Sequence, residues 1–399
     1  MQQLHTDKIF ILVRINRTMK IFPIALIQSV LLFSCLNPDV DKTNLLIPAL
    51  KEKYAPDSRT EICTIYAEKG KGVSIVLRGE TTVPLLRSEL IKTLGDKHIT
   101  FKDSILVLPN QDLAVKGIAT LSVINLRKEP DYSSELVSQV IMGTPLEILK
   151  RDGYWYFVRT PDRYLAWVEK PAVMIFSMDE YNSWKNSSRV VYLRSTGWIY
   201  SDSQCTGVMS DIVAGCICVD SGRSGGFVKV SLPDGRYGFI QEEDLMNLSD
   251  FRELQSDSNK IISKAVGLLG IPYLWGGSSA KGADCSGFVQ TVYFQNGLIL
   301  QRDASMQAKY GTPVDISNDY KNLVPGDLLF FGSPEHITHV AIYKGAGEYI
   351  HSSGMVMINS LYPDSSNYIE FRRNSLVKAM RILGSKDSGI VALKDHPWY

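Results

Sequence analysis

The sequence predicts a multidomain chain: an α+β domain towards the C-terminal end, preceded by two small β-barrels and a small α+β unit. Three observations predict it. An internal repeat of 72 residues runs through 115–248, pairing Gly143 with Gly215, Val158 with Val230, Asp162 with Asp234, Trp167 with Phe239 and Val168 with Ile240. Each copy alternates apolar and polar residues in short runs broken by Gly, Pro and Asp, as small barrels do. Beyond residue 254 the period lengthens to a helical one and then returns to apolar strand runs, so helices would cover one face of an antiparallel sheet.

Taken in order, residues 1–35 form a leader. From Met19 and Lys20 the chain runs through a short apolar core to a small residue and Cys35, the pattern of an export signal too short for a membrane span. Residues 1–18 either lengthen its charged start or precede the true one. Leu32-Phe-Ser-Cys35 resembles a bacterial lipobox, although Phe33 is bulkier than usual. Cys35 is therefore the candidate lipidation site, with a membrane as partner and the cell envelope as address. Secretion after cleavage nearby is the alternative.

Residues 36–114 mix a helical stretch at 85–94 with a strand at 73–77 and show no chemistry. The barrels occupy 115–175 and 186–248, each ending on an aromatic–aliphatic strand: Tyr164-Leu-Ala-Trp-Val in the first, Tyr237-Gly-Phe-Ile in the second. Segments 170–189 and 247–259 serve as connections. In the last domain, 254–385, Ile261, Ile262, Ala265, Val266, Leu268 and Leu269 mark a helix stopped by Gly270 and Pro272. A second helix opens at Cys285 and ends by Gly297, and strands follow around 328–331, 340–343, 349–352 and 379–383.

The chemistry gathers in that domain. Cys285 follows the glycine-rich turn 276–282 and opens an apolar helix through Phe288, Val289, Val292 and Tyr293. A helix N-terminus presents unpaired N–H groups and a positive dipole end, which favour the nucleophilic thiolate. A base is offered by His339 and His351, one on each arm of a strand–turn–strand segment. With a three-residue loop of Gly345, Ala346 and Gly347, Lys344 pairs with Glu348, and His351 lies opposite Ala341 on the face of His339. A two-residue loop would put the histidines on opposite faces. The residues read as a Cys–His–His hydrolase. Against this stand an inert buried Cys285, and a zinc site of His336, His339, His351 and Cys285. No carboxylate lies at ligand spacing, so no metal and no cofactor is expected, and His336 reads as a loop residue.

Tyr273-x-Trp-Gly-Gly, Asp284-Cys-Ser-Gly-Phe288, Arg302-Asp-Ala-Ser-Met-Gln307, Pro325-Gly-Asp-Leu-Leu-Phe-Phe331, His339-Val-Ala-Ile-Tyr343 and Tyr349-Ile-His351-Ser together resemble the NlpC family of papain-like cell-wall cysteine peptidases, over roughly 254–385. The resemblance implies a papain-like fold and hydrolysis of the γ-D-glutamyl–diamino acid bond of murein stem peptides. Cys285 would attack, His339 would move the proton and His351 would orient it. Tyr273 would be a second oxyanion donor beside the Cys285 N–H. Asp284 and Ser286 would contact substrate, with Ser305 nearby and Trp275 as a wall.

The barrels resemble the bacterial SH3-like modules that accompany such domains. In relatives of this layout the first barrel closes one end of the cleft and restricts it to stems with a free N-terminal L-alanine. Tyr164 is then the hydrogen-bonding aromatic, and Glu135 or Glu129 the partner of the ammonium. This implies a dipeptidyl peptidase releasing L-Ala-D-Glu in wall turnover or recycling. A wall-binding lipoprotein with an idle cleft, or an amidase or acyltransferase on the same fold, are the rival readings.

Composition adds exclusions. Net charge is +1 with 21% charged residues, so there is no nucleic-acid footprint, and a monomer is expected. Export would expose Cys63, Cys205, Cys216 and Cys218 to oxidation. Four cysteines allow three pairings, among which the sequence does not choose; buried thiols are the default expectation.

Overall fold

The structure, a computed structural model, describes residues 37–110 and 116–399. The leader with Cys35, and the boundary expected at 114–115, lie outside the described residues. Among these, no helix is long and apolar enough to cross a membrane.

The N-terminal unit starts with helix α1 (Pro38–Tyr54), capped by the Asn37 side chain. Strands β1 (Tyr66–Lys69) and β2 (Ile75–Arg78), helix α2 (Pro84–Asp96) and strand β3 (Phe101–Asp103) follow, with β3 parallel to β2, and Glu80–Thr81 forms a short parallel pair with Leu106–Val107. Leu86, Leu90 and Leu94, four residues apart on α2, are fully buried over Ile75 and Leu77.

The first barrel comprises β4 (Lys116–Ala119), β5 (Val123–Arg127), β6 (Leu136–Ile141), β7 (Pro145–Asp152), β8 (Trp155–Arg159), β9 (Leu165–Glu169) and β10 (Val173–Phe176). After helix α3 (Met178–Asn186) the second follows: β11 (Arg189–Tyr192), β12 (Thr196–Tyr200), β13 (Val208–Val213), β14 (Ile217–Ser224), β15 (Phe227–Ser231), β16 (Tyr237–Gln241) and β17 (Leu245–Asn247). The strand orders are β10-β4-β7-β8-β9-β5-β6 and β17-β11-β14-β15-β16-β12-β13. Each strand of one barrel thus has its counterpart in the other, as the repeat implies. Val158 and Val168, like Val230 and Ile240, point into their cores. One expectation is corrected: neither β9 nor β16 is the last strand of its barrel. After a 3-10 turn, β10 or β17 adds another at the edge.

Along β8 and β9 the alternate side chains, Trp155, Phe157, Leu165 and Trp167, face outwards from the barrel and are nevertheless buried. Leu108 and Ile62 of the N-terminal unit cover them. The first barrel is therefore apolar on both faces because another unit packs on it.

The C-terminal domain carries α4 (Ser258–Val266), α5 (Cys285–Phe294) and a six-stranded antiparallel sheet: β18 (Thr312–Val314), β19 (Leu328–Gly332), β20 (Ile337–Gly345), β21 (Glu348–Ser353), β22 (Met355–Ser360) and β23 (Leu376–Arg381), in the order β18-β23-β19-β20-β21-β22. Phe288, Val289, Val292 and Tyr293 of α5 share one core with Leu328, Phe330, Val340 and Ile342 of the sheet. Four of the six strands stand where the periodicity put them; β18 and β22 are additions. The cysteines other than Cys35 are free thiols, and Cys205 corrects the expectation of burial, since it is exposed in a turn at φ 59°.

Candidate active site

Asp284 precedes α5 in extended backbone, and its Oδ1 accepts the Gly287 N–H at 2.7 Å, which starts the helix at Cys285. The remaining lone pairs of Asp284 are also used. Oδ2 accepts the Gly276 N–H at 3.0 Å, and the Arg302 guanidinium grips both oxygens at 2.6 and 3.1 Å. Arg302 is wholly buried and donates further to Ser286 Oγ and, from Nε, to Ser138 Oγ of the first barrel, each at 3.1 Å. The helix that opens at Cys285, its glycine-rich turn and a barrel strand are thus tied through one carboxylate–guanidinium pair. The Cys285 N–H has no partner among the described residues, as the first N–H of a helix has no intrahelical acceptor.

The hairpin β20–β21 brings the histidines together by a route other than the expected loop. Ile342 pairs with Ile350 and Tyr343 with Tyr349, but Gly345, not Lys344, pairs with Glu348. The turn is therefore the two residues Ala346-Gly347, at φ 51° and 79°, with Lys344 bulged out of the ladder. The bulge supplies the parity that a three-residue loop would have given. Lys344 still reaches Glu348 as an ion pair at 2.5 Å.

His339 Nε2 and His351 Nδ1 stand 2.7 Å apart, and His351 Nε2 lies 2.7 Å from Oδ1 of Asn359 on β22. Directions follow from the far end of this chain. Asn359 Nδ2 donates to the Asn367 carbonyl at 2.7 Å, so Oδ1 is the atom that faces His351 and must accept. His351 then carries its proton on Nε2 and accepts at Nδ1 from His339 Nε2–H. The lone pair of His339 is left on Nδ1. Asn359 was not anticipated from the sequence.

The backbone N–H groups of Val340, next to His339, and of Ser286 favour the anionic form of the Cys285 sulfur. Burial, then the Asp284 charge, pushes the Cys285 thiol up to about 11. Removal of the sulfur from water thus opposes the thiolate that the helix N-terminus favours. Burial, Arg372 and His351 hold His339 well below its ordinary value, and burial lowers His351 to about 4. Burial thus disfavours the charged form of Cys285, His339 and His351 alike.

A cleft of about 770 Å3 leads to Cys285 and His339. Tyr273 lines it, its hydroxyl without a protein partner among the described residues, and burial raises its phenol to about 12. Trp275 is exposed, and its indole N–H donates to Glu135 Oε1 at 2.9 Å across the barrel boundary. Tyr164 is buried and lines the same cleft, its phenol raised chiefly by burial. Glu129 and His336 are exposed residues of the lining. Asp284 and Ser286 border the cleft, but the carboxylate of Asp284 is committed to internal partners.

The N-terminal unit supplies a wall as well, which corrects its reading as a bystander. Arg59, held by Asp57 at 2.7 Å, donates from Nη1 to Asp303 at 2.8 Å and to Ser305 Oγ at 3.0 Å. Nothing local in the sequence marks Arg59. Arg302 sits in a quoted motif, but its partner could not be read there.

Residues 270–373 match the model of the NlpC/P60 family, and 126–173 match that of the bacterial dipeptidyl-peptidase SH3 domain. The chain is 30% identical over 284 residues to dipeptidyl-peptidase 6 of Lysinibacillus sphaericus, covering 68% of this chain and 99% of that protein. It is 28% identical over 226 residues to the gamma-D-glutamyl-L-lysine dipeptidyl-peptidase of Bacillus subtilis strain 168, covering 54% of this chain and 71% of that one. In fold it is similar to the crystal structure of an NlpC/P60 family protein from Bacillus cereus ATCC 10987, at TM-score 0.58 and 21% identity, over 67% of this chain and 99% of that one.

Proposed function

Because the chain belongs to the NlpC/P60 family and is a cysteine peptidase, we propose that it hydrolyses the γ-D-glutamyl–diamino acid bond of murein stem peptides bearing a free N-terminal L-alanine, releasing L-Ala-D-Glu. In this reading Cys285 attacks the γ-carbonyl while His339 Nδ1 takes the thiol proton, which goes to the leaving amine. Water, giving a proton to His339, then cleaves the resulting thioester, and that proton returns to the Cys285 sulfur as L-Ala-D-Glu leaves. His351 and Asn359 hold the imidazole in that tautomer. The Cys285 N–H and the Tyr273 hydroxyl receive the oxyanion.

The observation that carries the free-amine requirement is the Glu135–Trp275 hydrogen bond in a cleft that Tyr164 also lines. A barrel carboxylate, 3.7 Å from Lys128 Nζ, and a phenol with no hydrogen-bond partner among the described residues line the same cleft as Cys285. An ammonium there gains a charge-assisted partner; an acetylated amine cannot donate as a cation and must displace the wall. Glu129 is the weaker candidate. The charged lining (Arg59, Glu135, Asp303) also counts against the amide-acyltransferase reading, which would favour an apolar cleft.

Wall fragments are met in the cell envelope, and we place the chain there, with Cys35 as the lipid-bearing residue. The test uses the full chain with L-Ala-γ-D-Glu-diaminopimelate and its N-acetyl form, read by mass spectrometry, with Cys285→Ala as blank. Cleavage of the free-amine peptide alone is expected. Equal cleavage of both removes the roles of Glu135, Glu129 and Tyr164. Wild type equal to the blank on both rejects the substrate.

A further inference from the structure

Beyond His339 the cleft continues. A second groove, of about 260 Å3, is lined by Tyr273, Thr338, His339, Ser353, Gly354 and Arg372, and it shares the first three with the main cleft. A peptide whose amine end lies at Glu135 and whose scissile carbonyl lies at Cys285 would place its leaving residue in this groove. The location rests on the reading given above.

Arg372 dominates the groove. It is half-buried, and among the described residues its side chain makes one hydrogen bond, from Nη2 to Ser353 Oγ at 3.3 Å. Its guanidinium stands 5.9 Å from the Phe331 ring and 5.7 Å from the Phe371 ring. Among the described residues no carboxylate lies within ion-pairing distance of it. The other two arginines of the site differ: Arg59 is held by Asp57 and Asp303, and Arg302 by Asp284. An arginine beside a general base that must become an imidazolium is electrostatically adverse, and its charge does depress the basicity of both His339 and His351. That cost is offset if the substrate itself brings the missing anion.

We propose that Arg372 is a specificity residue of the leaving-group side, where its guanidinium takes a carboxylate of the third stem residue. The planar fork and the flanking rings suit a carboxylate better than a neutral amide, which would leave the charge unpaired. Two carboxylates have this chemistry: the α-carboxylate of a tripeptide and the side-chain carboxylate of diaminopimelate.

Three substrates separate them: L-Ala-γ-D-Glu-meso-diaminopimelate, with both carboxylates, L-Ala-γ-D-Glu-L-Lys, with the α-carboxylate alone, and the C-terminal amide of the latter, with neither. For wild-type full chain, kcat/KM is expected to fall about ten- to hundredfold at one step of the series. A fall from the first to the second assigns the side-chain carboxylate, and one from the second to the third the α-carboxylate. Arg372→Met should flatten the series and Arg372→Lys should keep part of it. Each series is a ratio within one preparation, so partial misfolding cancels; if Arg372→Met does not fold, wild type and Arg372→Lys decide. Equal cleavage of all three by wild type, or an unchanged series in the variants, overturns the proposal. Wild type no better than Cys285→Ala on all three instead rejects the peptidase substrate on which it rests.

Discussion

Asn359 decides which nitrogen of His339 is basic, and it does so without a charge. Its amide is oriented by the Asn367 carbonyl, and the polarity of the chain back to His339 follows from that one bond. Removing the amide oxygen frees His351 to adopt either tautomer, and half of the outcomes put a proton where His339 needs a lone pair. Asn359→Ala is expected to lower kcat about ten- to hundredfold with little change in KM. Asn359→Asp carries a sharper signature. A carboxylate beside His351 favours imidazolium, so the linked histidine pair gains basicity. The wild-type acid limb of kcat/KM should lie below pH 6.5, because burial holds His339 well under that value. In Asn359→Asp it should move to higher pH. A pH–rate profile unchanged in Asn359→Asp would mean that Asn359 only fills space. The helix start at Cys285 and the meeting of His339 with His351 were legible from motif and spacing. Asn359 was not, because it stands on β22, a strand that the run after Gly354 gave no reason to draw.

At the scale of the element, the hairpin shows what parity arguments can and cannot reach. Alternation along β20 and β21 required an odd number of residues between the paired strands, and that much is readable from the two histidine positions. It does not say whether the odd residue sits in the loop or in a bulge, since both give the same facing. The structure puts it in the bulge at Lys344. The two accounts separate on deletion. With Lys344 removed, Gly345 still pairs with Glu348 and Tyr343 with Tyr349 across the Ala346-Gly347 turn, so His351 keeps its face. Had the loop been Gly345 to Gly347, the same deletion would slip the register by one and turn His351 away. The deletion variant is expected to retain kcat/KM within about tenfold, at some cost in melting temperature for the Lys344–Glu348 pair. A loss of about a thousandfold or more, the scale of removing a triad member, would refute the bulge. The 72-residue repeat was legible for a related reason: it rests on inward-facing residues such as Val158 and Val230, whose burial the barrel itself dictates. Residues such as β10 and β17, added after a tight turn, carry too few alternating positions to announce a strand.

The whole molecule builds its cleft from three stretches of chain that are distant in sequence. Arg59 meets Asp303 across 244 residues, Trp275 meets Glu135 across 140, and Arg302 meets Ser138 across 164. None of these contacts leaves a local periodicity, which is why the N-terminal unit read as a unit without chemistry. What could be read, in retrospect, is the second apolar face of the first barrel: Trp155, Phe157, Leu165 and Trp167 alternate with the core residues and demand a cover. Leu108 and Ile62 provide it, and in seating there the unit delivers Arg59 to Asp303 and Ser305. If delivery is the unit's contribution to activity, two unlike substitutions must act as one. Arg59→Ala removes the guanidinium in place. Leu108→Asp buries a charge in the apolar contact, costs several kcal/mol there and unseats the unit as a whole. Both are expected to raise KM for the free-amine tripeptide about tenfold with kcat changed less, and the double variant should be no worse than Leu108→Asp alone. Additive effects would mean that the unit shapes the cleft through contacts other than Arg59, and an unaltered KM in Leu108→Asp would mean that the unit is a passenger on the barrel.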